Sequence, residues 1–243
     1  MNKQLLNNLS ILQNALNEYI TKDWKNNRTE LDFMVASIIE MSELIDTNVM
    51  VDGKKHEMGW KWWKGASGQR TMDMVAWEKL HPAVIDNIKI ELTDLVFFTL
   101  SQKILEDLTD PDEIVQMHQN DWLNFMSISA NNLLQRPGMA MAMIIELAKK
   151  LDFNISAYYI AKHTLNVIRQ QKGYKDGTYK KIIDGKEDNE LLHDVIREIT
   201  VGQLVGDFEN QANKIMHGVY DVFSVDMDTR KDFKFWKDFV SNE

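Results

Sequence analysis

Apolar residues recur every three or four positions along most of the chain, and this spacing predicts amphipathic helices. The first predicted helix runs from Leu5 to Ile20 and carries leucines at positions 5, 9, 12 and 16 on one face. The same period predicts helices over residues 29–45, 82–108, 111–134, 139–151, 155–171 and 189–199, with a shorter one near Trp236. No segment alternates β-branched and polar residues as a half-buried strand would. The predicted fold class is therefore all-α, a multi-helix bundle.

Two longer stretches lack the helical period and are predicted to be loops. One covers about residues 47–59, and the other, at about 172–188, is rich in Gly and Lys and is expected to be mobile. From Arg169 to Lys186, six basic residues stand against two acidic ones. This local positive charge suits either a site for a compact anion or a solvated loop. Because neither stretch has the composition of a linker, we predict a single domain over residues 1–243.

Composition narrows the class of protein. The 243 residues are 44% hydrophobic and 27% charged, which is typical of a soluble globular protein. The absence of cysteine excludes disulfides, a thiolate nucleophile and a cysteine-ligated metal. A net charge of −9 argues against general nucleic-acid binding. Without an apolar leader or a long apolar run, we expect a cytoplasmic protein that does not bind membranes.

Four carboxylates lie in otherwise apolar helical segments. Between residues 33 and 45 the only charged residues are Glu40 and Glu43, and between residues 90 and 100 they are Glu91 and Asp94. Both segments are apolar nearly all round, which predicts burial on most faces. Because a buried carboxylate is costly without a partner, the two pairs indicate either a shared divalent cation or a Lys or Arg from a neighbouring helix. Oxygen ligands without His or Cys favour Mg²⁺, with Mn²⁺ also possible.

Polar residues on two other helices could bind a nucleotide. Lys162, Asn166 and Arg169 share one face of the predicted helix over 155–171 and lead into the basic loop, an arrangement that suits a polyphosphate. Gln13 and Asn17 lie one turn apart on the first helix, where amides can pair with a base edge but are more often only solvated.

Taken in order, these segments resemble one known family. The chain contains an E-x-x-E pair at Glu40 and Glu43, the segment WKWWK at 60–64, and an E-x-x-D pair at Glu91 and Asp94. The later segments NVIRQQKGYKDGTYKK at 166–181 and GKEDN at 185–189 complete the pattern. These signatures resemble those of the dimeric dUTPases, which belong to the all-α NTP pyrophosphatase superfamily. The resemblance runs from about residue 12 to residue 192.

The resemblance implies an enzyme, a dUTP diphosphatase. It would hydrolyse dUTP, and also dUDP, to dUMP with Mg²⁺, releasing pyrophosphate or phosphate, and so clear the nucleotide pool of dUTP and supply dUMP. The family associates as homodimers, so a homodimer is expected, and the predicted helix over 139–151 could supply the surface. Two or three Mg²⁺ ions per site would be held by Glu40, Glu43, Glu91 and Asp94. Phosphates would be bound by Lys162, Asn166, Arg169, Tyr174, Lys181 and Asn189. The nucleoside pocket would be shaped by Gln13, Asn17, Trp62 and Phe98.

For the mechanism we expect attack on a phosphoryl group by a water molecule that the metal activates. Glu40 would act as general base or orient this water, and Glu43 would bridge metal ions. The sequence departs from the family at two places: one affects the conformation of a loop, and the other, Phe97, bears on base selectivity. The segment between Asp46 and Trp60 is longer than usual, and Phe97 stands where the family commonly has His. The alternatives are a broader dNTP pyrophosphatase of the dCTPase or MazG-like type, since related phage enzymes act on dCTP, and a non-catalytic helical interaction protein.

Overall fold

The computed structural model describes residues 3–57, 80–106, 137–199 and 208–223. Helices make up 74% of these residues. The helices are α1 (Lys3–Ile20), α2 (Trp24–Asn27), α3 (Glu30–Ile45), α4 (Pro82–Leu105), α5 (Pro137–Lys150), α6 (Ile155–Gln171), α7 (Asp188–Ile199) and α8 (Phe208–Val222). Two antiparallel hairpins are formed by β1 (Asn48–Val51) with β2 (Lys54–Glu57), and by β3 (Ile182–Ile183) with β4 (Lys186–Glu187). The all-α prediction is confirmed. The helices predicted over 111–134 and near Trp236 lie outside the described residues.

The helix boundaries follow from local capping. Thr29 forms a capping box with Asp32 at the start of α3, and Asn154 accepts hydrogen bonds from two backbone N–H groups at the start of α6. Pro82 and Pro137 each occupy the first position of a helix, where the missing N–H has no partner to lose. α6 has the predicted bounds, whereas α5 begins two residues earlier than predicted. Helices α2 and α8 were not predicted.

The described chain forms two compact units. The first unit combines two separate segments, Met1–Arg28 and Asn154–Glu243, and the second is Thr29–Phe153. In the first unit α6 is central and contacts α1, α7 and α8. Its buried side chains include Ile160, Leu165 and Ile168, which are fully inaccessible to solvent. That the whole chain acts as one domain stays a prediction.

The second unit is built around α4, which packs against α3, α5 and β1. Buried residues occur on every side of α4 from Ile90 to Lys103, so this helix has no solvent-facing stripe along its middle. Its nearly uniform apolar sequence predicted this burial correctly. The consequence is that Glu91 lies in the interior of the unit, where its side chain is 9% exposed.

For α3 the prediction of burial on most faces was wrong. The buried face carries Phe33, Ser37, Met41 and Leu44. The opposite face exposes four large apolar side chains, which are 42% to 63% accessible: Leu31, Val35, Ile38 and Ile39. α3 contacts α4 along one side, and a helix packed along one side buries a single stripe whatever its other faces contain. These four residues are called the exposed apolar face of α3 below.

The stretch predicted as an inserted loop at 47–59 contains a β-hairpin. β1 and β2 pair antiparallel, with Val51 opposite Lys54. The connecting residues Asp52 and Gly53 both have positive φ, as a two-residue hairpin turn of type I′ requires. The hairpin lies beside α4, where the rings of His56 and His81 are 4.3 Å apart.

Candidate active site

Three of the four predicted metal ligands lie together in the second unit. Glu40 of α3 and Glu91 and Asp94 of α4 each place a carboxylate oxygen within 4.8 Å of the other two. Glu91 and Asp94 are one turn apart on the side of α4 that meets α3, and Glu91 also accepts a hydrogen bond from Asn87 Nδ2 at 3.2 Å. Three hard oxygen donors at this separation fit a divalent cation such as Mg²⁺ or Mn²⁺.

Glu43 is not part of this group of three. Its side chain is exposed and lies outside the buried stripe of α3. The backbone carbonyl of Glu43 accepts a hydrogen bond from Thr47 Oγ1 at 3.2 Å, near the end of the helix. Its role as a metal ligand, and the division of catalytic roles between Glu40 and Glu43, stay predictions.

The predicted phosphate-binding residues of α6 belong to a buried polar network in the first unit. Arg169 donates from Nε to Asp188 Oδ2 at 2.9 Å and from one terminal nitrogen to Asp188 Oδ1 at 2.8 Å. Its other terminal nitrogen donates to Asn166 Oδ1 at 3.2 Å. Lys162 Nζ donates to Asn189 Oδ1 at 3.0 Å. The structure therefore brings four of the six predicted phosphate residues together.

The ionisation states in this network follow from burial and charge. Burial by itself would raise the pKa of Asp188, but the hydrogen bonds and the charge of Arg169 outweigh it and hold that pKa below its ordinary value. Burial raises the pKa of Tyr179 well above its ordinary value, and the hydrogen bond to Asp188 raises it further. At neutral pH Asp188 is thus a carboxylate and Tyr179 a hydrogen-bond donor.

The basic loop contains a defined turn around Gly173. The carbonyl of Gly173 accepts backbone hydrogen bonds from Asp176, Thr178 and Tyr179 at 3.0–3.3 Å. Gly173 has φ of +88°, and a Cβ at this position would lie 1.9 Å from Thr178 Oγ1. Only glycine therefore fits here without a rearrangement. Of the two predicted phosphate ligands on the loop, Tyr174 is exposed after this glycine and Lys181 is exposed before β3. The mobility of the loop stays a prediction.

The three predicted nucleoside residues that the structure describes lie in different units, Gln13 and Asn17 in the first and Phe98 in the second. Gln13 is buried, accepts a hydrogen bond from Tyr159 Oη at 2.7 Å and donates to Asn17 Oδ1 at 2.8 Å. Phe98 is half-buried on α4 in the second unit, and the neighbouring Phe97 is buried. Trp62 lies outside the described residues. Gln13 thus links Asn17 to the core of the first unit through Tyr159.

Sequence reasoning missed Asp188 and Tyr179 as parts of the network. Both lie in or beside the segments that carried the family resemblance. Tyr179 Oη donates to Asp188 Oδ2 at 2.9 Å. The available signal was Asp188 itself, an acid directly before a predicted phosphate ligand at the end of a basic loop.

The fold and the carboxylate cluster define an all-α protein with a candidate site for a divalent cation. A comparison with models of protein families finds a match to the family described as dUTPase over residues 5–174. The chain belongs to this family, the dimeric all-α dUTPases. A comparison with curated proteins finds no match.

Membership of this family confirms the activity that the sequence predicted. The chain is a dUTP diphosphatase, a hydrolase of nucleotide metabolism whose substrate is dUTP. dUTPases generally use a divalent metal, in agreement with the carboxylate cluster. The match supports an enzyme over a non-catalytic interaction protein, and the discrimination between dUTP and dCTP stays a prediction. Within the described residues, no helix has both the length and the apolar composition needed to cross a membrane.

Proposed function

We propose that this dUTPase hydrolyses dUTP to dUMP and pyrophosphate with Mg²⁺ held by Glu40, Glu91 and Asp94, and with Glu43 as a further ligand. The observation that carries the proposal is the meeting of three carboxylates from two helices within 4.8 Å. Two or three ions per site are proposed, and the same oxygen donors would accept Mn²⁺. The proposal extends to dUDP as a second substrate, which would release phosphate. Removal of dUTP from the nucleotide pool and supply of dUMP are its proposed roles.

Glu40 and Asn87 have separate proposed roles at the metal site. When bound, Mg²⁺ would neutralise phosphate charge and make a water molecule a stronger nucleophile. Glu40 orients the attacking water and takes its proton, since its carboxylate is half-buried beside the two ligands from α4. Asn87 supports the site because its hydrogen bond to Glu91 Oε1 restrains that carboxylate.

Phosphate binding is proposed for the network in the first unit. Lys162 is only 2% exposed, so little solvent screens the charge it offers to a phosphate oxygen. Arg169, Asn166 and Asn189 add donors around it, and the exposed Tyr174 and Lys181 would reach the phosphates from the loop. A triphosphate is strongly anionic, and further negative charge develops on the leaving pyrophosphate in the transition state. These donors therefore contribute most at that point.

For the nucleoside we propose Gln13, Asn17, Trp62 and Phe98. Asn17 is restrained by Gln13, which the buried Tyr159 holds in turn. Phe97 replaces the His that is common in the family, so the discrimination of uracil from cytosine would rest on other groups. Turnover of dUTP, dCTP, dTTP and UTP under one set of conditions tests this part, and equal rates would refute selectivity for dUTP.

The metal site is tested with matched carboxylate variants. Glu40→Gln and Glu91→Gln each remove one negative ligand at nearly constant size, whereas Glu30→Gln changes an exposed acid at the start of the same helix α3. We expect the first two to lower kcat by at least about 100-fold and to weaken the binding of Mn²⁺ followed by electron paramagnetic resonance. Glu30→Gln should change neither. Normal Mn²⁺ affinity in both cluster variants would refute the assignment.

A homodimer is also proposed, with the exposed apolar face of α3 as its surface. The helix predicted to supply this surface, α5, instead buries Ala140, Met143, Ile144 and Leu147 within its own unit and so offers less free apolar surface. Contiguous exposed apolar side chains usually mark an interaction surface. Light scattering of Ile38→Glu should show a smaller species than Met50→Glu, an exposed apolar control on the hairpin. The same mass for both would refute this surface. A cytoplasmic location stays a prediction.

A further inference from the structure

Asp188 is the centre of the buried polar network around Arg169, although it was not among the predicted ligands. Its side chain is fully buried. Both of its oxygens accept hydrogen bonds from Arg169, and Oδ2 also accepts from Tyr179. The backbone N–H of Asp188 donates to the carbonyl of Lys181 at 2.9 Å. One residue thus joins α6, the basic loop and the start of α7.

We infer that Asp188 is a positioning residue for phosphate binding, which fixes the guanidinium plane of Arg169 and ties the basic loop to it through Tyr179. This inference rests on the proposed phosphate role of Arg169. Two parallel hydrogen bonds from Nε and a terminal nitrogen leave a guanidinium little freedom to rotate. The remaining edge of Arg169 is thereby directed at a constant angle toward Asn166.

The loop contacts extend the effect of Asp188 to the exposed ligands. Tyr179 and Lys181 lie six and eight residues beyond Gly173. Tyr179 donates to the Asp188 carboxylate, and the carbonyl of Lys181 accepts from the Asp188 backbone N–H. Tyr174, which follows Gly173, is attached by its N–H to the carbonyl of Arg169 at 2.9 Å. The loop is therefore fastened at both ends to the residue pair Arg169–Asp188. Only the Tyr179 bond uses the Asp188 carboxylate, so loss of that carboxylate should release Tyr179 and the Arg169 guanidinium together, while the two backbone bonds remain.

A contribution to stability explains the buried Arg169–Asp188 ion pair less well than a positioning role does. Removing two charges from water costs free energy that their attraction offsets only in part, so a buried ion pair is often no more stabilising than apolar residues of the same volume. A positioning role predicts a different result from a stabilising role. Partial unfolding lowers the amount of active enzyme and hence the apparent kcat, while misplaced phosphate ligands raise KM.

The test is Asp188→Asn, with Asp184→Asn as its control. Both changes remove one negative charge, but Asp184 is exposed in the same loop with φ of +51°, a conformation that Asn accepts readily. We expect Asp188→Asn to raise KM for dUTP and the inhibition constant of added pyrophosphate about 10- to 100-fold. Asp184→Asn should leave both constants within about twofold. Unchanged constants in a folded Asp188→Asn enzyme would overturn the inference.

A double-mutant cycle with Arg169→Lys separates this inference from the proposed function. Arg169→Lys keeps the charge but loses the fork, and alone it should raise KM and the inhibition constant. In the Arg169→Lys background, Asp188→Asn should raise each of these constants by less than about a further threefold, because its effect passes through Arg169. Full additivity would overturn the inference and leave the phosphate role of Arg169 intact. Unchanged constants in Arg169→Lys alone would refute that role itself.

Tyr179→Phe provides a milder variant in case Asp188→Asn does not fold. It removes one hydrogen bond to Asp188 and retains the ion pair with Arg169. We expect KM for dUTP to rise about 3- to 10-fold, with kcat nearly unchanged. This rise should disappear in the Arg169→Lys background. A Tyr179→Phe enzyme with the KM of the parent protein would overturn the proposed attachment of the loop.

Discussion

The buried His163 should make the stability of the fold depend on pH in the mildly acidic range. This residue lies in the core of the first unit on α6, and its Nε2 lies 3.0 Å from the carbonyl oxygen of Leu12. Its ring centroid is 6.2 Å from that of Tyr159. Burial lowers the pKa of His163 from 6.5 to about 4, and the hydrogen bond to Leu12 offsets only part of this effect. In the folded protein the imidazole is therefore neutral above about pH 4.

The sign of the effect follows from proton binding. The unfolded chain protonates this histidine below about pH 6.5, whereas the folded chain resists protonation until about pH 4. Between these values the unfolded state holds more protons, so the free energy of unfolding falls as the pH is lowered through this window. Relative to pH 7, the loss amounts to about 2 kcal/mol at pH 5 and about 3 kcal/mol at pH 4. This loss is large, because the whole free energy of unfolding of a typical domain is only about 5–15 kcal/mol.

Urea unfolding of the parent protein and of His163→Gln measures this contribution. Gln retains a donor for the Leu12 carbonyl but does not titrate. Carboxylates that protonate in the same range affect both proteins equally, so the difference between them isolates the histidine. Between pH 7 and pH 5 the parent protein should lose about 2 kcal/mol more than His163→Gln. The exposed His217, changed to Gln, serves as the control. Parallel pH dependences for the parent and His163→Gln would refute the reasoning.

Two further predictions concern the polar network proposed to bind phosphate and the loop that follows it. Lys162→Met should raise KM for dUTP about 10- to 100-fold by removing a buried cation. The control is Lys25→Met, which changes an exposed lysine of α2 and should leave KM unchanged. Equal KM values for the two variants would exclude Lys162 from the site. Gly173→Ala should destabilise the loop more than Gly177→Ala by at least about 1 kcal/mol in thermal unfolding. Both glycines have positive φ, but only at Gly173 would the added Cβ meet Thr178, so equal melting temperatures would contradict the collision.

Local signals in the sequence were sufficient for most helices. Thr29 with Asp32, and His81 with Pro82, mark helix starts by interactions within one turn, so their positions could be predicted without knowledge of the rest of the fold. The apolar composition of α3 could not show which face would be buried, because that choice depends on its packing against α4. The hairpin at 48–57 was missed although Asp52-Gly53 is a recognised turn signal.

The candidate site shows the same division. Carboxylates in apolar helices stand out in a sequence, and three of the four predicted ligands lie together. Asp188 did not stand out, since an acid beside a basic loop is usually solvated. Its burial depends on Arg169, which is distant along the chain and adjacent only in the folded unit. Pairings of this kind are decided by tertiary structure, so the polar network around Asp188 could not be derived from spacing alone.

The construction of the first unit from two separated segments has a consequence for synthesis on the ribosome. α1 leaves the ribosome early, but α6, against which it packs, follows only after the whole of the second unit has been made. At about 5–20 residues per second the wait is on the order of ten seconds. During this time the second unit can complete its own core, whereas the leucine-rich face of α1 still lacks α6. In a nascent chain, α1 should therefore be a binding site for chaperones until α6 has been made.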